Sequence, residues 1–157
     1  MNEQSDETRP QPVGRRGGRE AALQMLYQWE VGRLTMPEVR RLYWDMGEDD
    51  APDVADRARS FATALADGTV EHIAEIDPLI EEGAENWRLA RMPVIDRLIL
   101  RLAIYEFLHQ PETPQAVVID EALELAKRFS TPEAVKFING VLDGVRKRLH
   151  PDTPTRV

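Results

Sequence analysis

The sequence contains no cysteine. That one absence excludes disulfide staples, thiolate metal sites and cysteine nucleophiles together, and it suits a reducing compartment. Long apolar runs are missing as well: nothing approaches the ~18 consecutive apolar residues of a membrane span. The opening MNEQSDETRPQPVG has no apolar run to serve as a signal peptide, so a cytoplasmic protein without a membrane partner is expected. No segment of useful length alternates apolar and polar residues, which argues against a sheet. Nor is there a glycine loop with the spacing and Lys-Ser/Thr ending that cradles phosphate. His72, His109 and His150 lie in unrelated segments, none in a pair at the spacing that ligates metal on a helix. The acid pairs Asp49/Asp50, Glu81/Glu82 and Asp120/Glu121 fit solvated surface in a chain this acidic. The expectation is a non-enzymatic protein with no catalytic residues, no cofactor and no metal.

What is present is globular composition: 157 residues, 42% hydrophobic and 31% charged, enough for one domain with a real core. The net charge of −8 is unevenly spread, because residues 45 to 85 hold 13 acids and 2 bases and the rest of the chain holds 15 acids and 18 bases. An acidic stretch can therefore coexist with a basic face elsewhere. Helical spacing recurs throughout. Ala22, Leu23, Leu26, Tyr27 and Trp29 mark a helix from Arg19 to about Val31. A second opens at Pro37 and carries Val39, Leu42, Tyr43 and Met46. After GEDDAP a long helix carries Val54, Ala58, Phe61, Leu65 and Ile73, with Gly68 a place to bend, and Asp77 caps a short new start at Pro78. VIDRLILRLAIYEFL, opened by Pro93, is apolar around most of its circumference and leaves Asp96, Arg97, Arg101 and Glu106 as exceptions, as a central buried helix would. Pro114 precedes another helix, and Ser130 or Thr131 caps the last. The chain is thus expected to be all-α, with a disordered arm over residues 1 to 14, a helical domain over 15 to 149 and a flexible tail over 150 to 157.

The stretch RRGGRE places Arg15, Arg16 and Arg19 within five residues at a helix start. Guanidinium groups fork onto phosphate oxygens, and the free amides of a helix start also point toward anions. Gly17 and Gly18 would let the backbone approach a ligand and keep the arm mobile. Alone, the stretch fits an ordinary solvated basic arm equally well. Tyr27 can stack a base or join the core. Lys136 and Phe137, in the first turns of the last helix, pair a cation with an aromatic; Phe137 is either a second core contact or a stacking residue.

Taken in order, RRGGREAALQMLYQWEV, RMPVIDRLILRLAIYEFL, PQAVVIDEALELAKRF and KFINGVLD closely resemble the NusB family of bacterial transcription antitermination factors across roughly residues 15 to 147. The resemblance implies about seven helices in two packed bundles, and binding to the boxA element of nascent ribosomal RNA jointly with the ribosomal protein NusE. The complex, with RNA polymerase and other Nus factors, reads through terminators in rRNA operons. It also implies RNA contacts at Arg15, Arg16, Arg19, Tyr27, Lys136 and Phe137, and partner contacts at Asp96 and Glu133. Gly17 and Gly18 depart from the family's more basic or alanine-rich run, which implies weaker RNA binding without the partner. The family includes both monomers and homodimers. The same helices resemble the N-terminal module of ribosomal RNA cytosine methyltransferases, for whose cofactor-binding sheet this chain leaves no room. A helical adaptor that binds only protein is the other alternative.

Overall fold

A computed structural model describes residues 14–45, 55–85 and 87–150, and every regular element among them is helical. In chain order these are α1 (Gly14–Gly32), α2 (Met36–Asp45), α3 (Ala55–Glu71), α4 (Ile73–Ala84), a single 3-10 turn (Leu89–Arg91), α5 (Val94–His109), α6 (Gln115–Phe129) and α7 (Pro132–Leu149). No helix among the described residues is long and apolar enough to cross a membrane.

α5 is the axis of the fold. Leu98, Ile99, Leu100 and Ile104 have no exposed surface, and Leu102 and Ala103 are nearly as buried. A helix apolar on all sides must be covered on all sides. On one flank α1 packs along α3, with α2 against α1, and α1 and α3 both rest on α5. On the other, α7 packs against both α4 and α6, and all three rest on α5. The two bundles therefore share one helix. Two connections have clear local causes. Thr35 and Glu38 form a reciprocal capping box at the start of α2, with Thr35 N–H donating to Glu38 Oε1 at 2.9 Å and Glu38 N–H to Thr35 Oγ1 at 3.3 Å. Thr131, not Ser130, caps α7, its Oγ1 accepting from Ala134 N–H at 3.1 Å with Pro132 at the first helical position.

Two boundaries differ from those expected. α1 begins at Gly14, five residues before the expected start at Arg19, so the two glycines are inside the helix rather than in a mobile arm. Packing explains Gly18: a Cβ there would lie 2.6 Å from Phe61 Cδ2 and 3.3 Å from the Ala58 carbonyl, so its absence lets α1 and α3 close together. The break after α3 falls at His72 rather than at Asp77, and α4 runs straight through Pro78. Pro78 cannot donate to the carbonyl one turn back, and it sits on the exposed side of α4 where water can take that place. Asp77 is no cap, because its carboxylate receives both Arg101 Nε (2.9 Å) and Arg101 Nη2 (3.0 Å). Met46, Val54 and the GEDDAP loop lie outside the described residues, as do the arm up to residue 13 and the tail from residue 151.

Because Leu100 is completely enclosed where the bundles meet, Leu100→Ala should cost ~2 to 5 kcal/mol. Chemical denaturation followed by circular dichroism measures this, and a loss below about 1 kcal/mol would take α5 out of the centre.

Candidate nucleic-acid interface

The first turn of α1 has no acidic residue and ends the chain of helical hydrogen bonds with free amides, which is the setting for an anion. Arg15 and Arg16 are both exposed there. The Arg15 guanidinium lies 4.5 Å from the centroid of the Phe61 ring on α3, a cation–π contact that steadies the head while leaving it open. Arg16 reaches across to α6, where its Nε and Nη2 donate to the two carboxylate oxygens of Glu121 at 3.1 and 3.0 Å. That bond holds the Arg16 pKa above its already high ordinary value, so the charge is permanent. The pair is nonetheless open to solvent, with the arginine side chain 69% exposed, and such pairs are weak and exchangeable.

Arg19 behaves differently. Its Nε and Nη2 both donate to Glu106 of α5 at 2.7 Å, and the two side chains are 5% and 2% exposed. The sequence places three arginines toward solvent; the fold turns one of them inward. Arg19 thus positions the start of α1 on the central helix, and its bidentate fork is already occupied.

Along α1, Tyr27 lies about 20° around the helix from Arg16 at 100° per residue. It is 42% exposed, so of the two expectations for it the core one is set aside. Sequence reasoning passed over the α6 side of this surface. Lys127 and Arg128 in the last turn of α6 line one cleft with Arg16, Glu20, Glu121 and Glu124. Arg128 pairs with Glu20 at 3.0 Å and Lys127 with Glu124 at 3.4 Å, both cations remaining more than half exposed. Their position at a helix C-terminus was the available signal.

Lys136 and Phe137 stand elsewhere, on α7, whose main neighbours are α4, α5 and α6. Lys136 is exposed, whereas Phe137 is half-buried edge-to-face with Trp87, their centroids 6.0 Å apart. Trp87, 50% exposed in the link after α4, is a second residue that periodicity could not flag, since it belongs to no helix. Glu133 is exposed in the first turn of α7. Asp96 is buried in the first turn of α5 and accepts from Ser130 Oγ at 2.6 Å, so it fixes the α6–α7 corner from inside rather than offering a surface carboxylate. The histidines also rearrange: His72 and His109, expected to be unrelated, have ring centroids 4.1 Å apart with Glu75 beside them, a group able to hold a metal ion.

The NusB family profile matches residues 16–147. The chain is 47% identical over 135 residues to the transcription antitermination protein NusB of Koribacter versatilis, covering 86% of this chain and 90% of that one. Among solved structures, NusB of T. maritima superposes with a TM-score of 0.75 at 37% identity, covering 86% of this chain and 92% of that one. A chain from the crystal structure of antitermination factors NusB and NusE in complex with dsRNA gives a TM-score of 0.74 at 28% identity over 85% of this chain and 96% of that one.

Removing the Arg19 head leaves the Glu106 carboxylate buried without its cation, so Arg19→Ala should destabilise the fold by about 3 to 5 kcal/mol. Arg16→Ala should leave the urea midpoint in place. Equal midpoints for the two variants would show that the inward arginine does not anchor α1.

Proposed function

The chain belongs to the NusB family of transcription antitermination proteins, and from that premise we propose that it binds the boxA element of nascent ribosomal RNA together with the ribosomal protein NusE. In this role it acts in the cytoplasm with RNA polymerase and other Nus factors, letting the polymerase pass terminators in rRNA operons. The family is one of non-enzymatic factors, and the task is one of holding and presenting RNA. The helical module over residues 15 to 149 is its binding domain.

One observation carries the proposal: two exposed guanidinium groups stand at the acid-free start of α1, with an exposed tyrosine further along the same face. Phosphate oxygens would take Arg16 from Glu121 and approach the free amides, while Arg15 is held ready over Phe61 and Tyr27 stacks a base. Lys136 and Phe137, with Trp87, form a second contact on α7, so the RNA path is composite. Each exposed cation of the α1–α6 cleft already has an acidic neighbour. RNA must displace these carboxylates, which makes binding weak alone and dependent on the partner. Glu133 is proposed to meet the ribosomal protein directly, and Asp96 to act through the corner it holds. The similarity to a chain crystallised with NusE and dsRNA supports both partners.

Titration of a labelled boxA RNA with and without NusE tests this. In the Arg15→Ala/Arg16→Ala variant, loss of about two phosphate contacts at ~0.7 each should lower the log–log salt slope by roughly 1.4. An unchanged slope would overturn the site, and no RNA binding even with NusE would favour a protein-only adaptor.

A further inference from the structure

We propose that His72, Glu75 and His109 form a binding site for a zinc-class divalent ion at the junction of the two bundles. The three residues come from the break between α3 and α4, the first turn of α4 and the last turn of α5. Their ligand atoms all lie within 4.8 Å of one another.

The orientation of each ring is fixed by something other than a metal. His72 Nδ1 lies 2.8 Å from the Gly68 carbonyl oxygen, which can only accept, so Nδ1 carries the proton and donates. Nε2 is then left with its lone pair. A ligating histidine whose other nitrogen donates to a backbone carbonyl is the usual arrangement around a bound metal. His109 Nε2 is 3.1 Å from Glu75 Oε1, which can only accept, so Nε2 donates there in the ion-free site and an arriving ion takes the place of that proton, which passes to Nδ1 or to solvent. Tyr105 backs the pair, stacked on His109 with centroids 5.1 Å apart and 5.7 Å from His72. Tyr105 in turn fills the space over Gly68, where a Cβ would come within 2.3 Å of its ring. The glycine whose carbonyl orients His72 therefore also admits the ring that supports His109.

Zinc takes imidazole nitrogen and carboxylate oxygen at about 2.0 to 2.2 Å in a tetrahedron, which sets donor atoms about 3.4 Å apart. The Glu75–His109 separation already meets this. The other separations, at most 4.8 Å, must close by up to about 1.4 Å, which calls for movement of the His72 ring as well as of the half-exposed Glu75. His109 is 32% exposed, so an ion can enter and water can take the fourth position. Two imidazoles and one carboxylate suit zinc better than calcium or magnesium, which demand oxygen ligands. The bound ion would staple the α3–α4 break to the end of α5. Glu106, three residues before His109, holds Arg19, so the staple fixes the part of α5 on which the start of α1 rests.

The full chain, treated with chelator, is titrated with Co2+ while the visible d–d band of four-coordinate cobalt is followed, and Zn2+ is then added to displace it. Saturation at one ion per chain and displacement by Zn2+ are expected. His72→Ala and His109→Ala should each weaken binding by at least about tenfold, with His150→Ala unchanged. In parallel, NMR of the three histidine rings of the unsubstituted chain should show Zn2+ moving two sets of signals, which needs no variant to fold. No saturable band, a band that persists in the His72→Ala/His109→Ala chain, or Zn2+ acting on His150 alone would each overturn the site.

Discussion

A carboxylate and a guanidinium meet at 2.7 Å inside a largely apolar helical core, and the placement of α1 depends on that meeting. Glu106 near the end of α5 takes Arg19 near the start of α1, while Arg97 and Arg101 nearer the start of α5 take Glu30 near the end of α1 at 3.0 and 3.1 Å. The two helices are thus antiparallel and pinned at both ends. A fully buried pair such as Arg19–Glu106 adds less net stability than well-packed apolar side chains would, since both charges must leave water, and the partly buried pairs to Glu30 share that cost in part. What they add is register: a slide of one turn would strand charges in the core, at a cost of several kcal/mol each. The other polar residues of α5 act alike, Arg101 on Asp77 of α4 and Asp96 on Ser130 at the α6–α7 corner. Between them, the polar exceptions in the apolar helix tie it to α1, to α4 and to the α6–α7 corner.

Helical periodicity makes the number of helices and the central place of α5 legible from sequence, because burial on all sides leaves a direct trace in composition. The partners of its charges leave none: residues 19 and 106, or 30 and 101, are joined by topology alone. For the same reason Arg19 is indistinguishable in sequence from Arg15 and Arg16, and His72 gives no sign of His109. The misplaced start of α1 has a simpler cause. Two adjacent glycines resemble a helix breaker by propensity, yet Gly18 is required by the approach of Phe61. At α3–α4 the proline attracted the boundary that belongs to His72.

The electrostatics of the α1–α6 cleft reconcile an acidic protein with the polyanionic partner proposed for it. Arg16, Lys127 and Arg128 face Glu121, Glu124 and Glu20, so the cleft is close to neutral at rest. A neutral cleft draws polyanions weakly at long range and responds chiefly to ligands able to replace several carboxylates at once. That favours an extended phosphate backbone over scattered small anions.

The bond between Arg16 and Glu121 has a further consequence. A free arginine of this length samples many rotamers, and freezing them opposes any ligand that needs the fork in one pose. Here the carboxylate is a placeholder with nearly the geometry of the oxygens it stands in for, keeping the fork flat and spanning two helices before any ligand arrives. In the proposed complex the protein carries its own imitation of the phosphate, and recognition becomes an exchange of one oxygen pair for another.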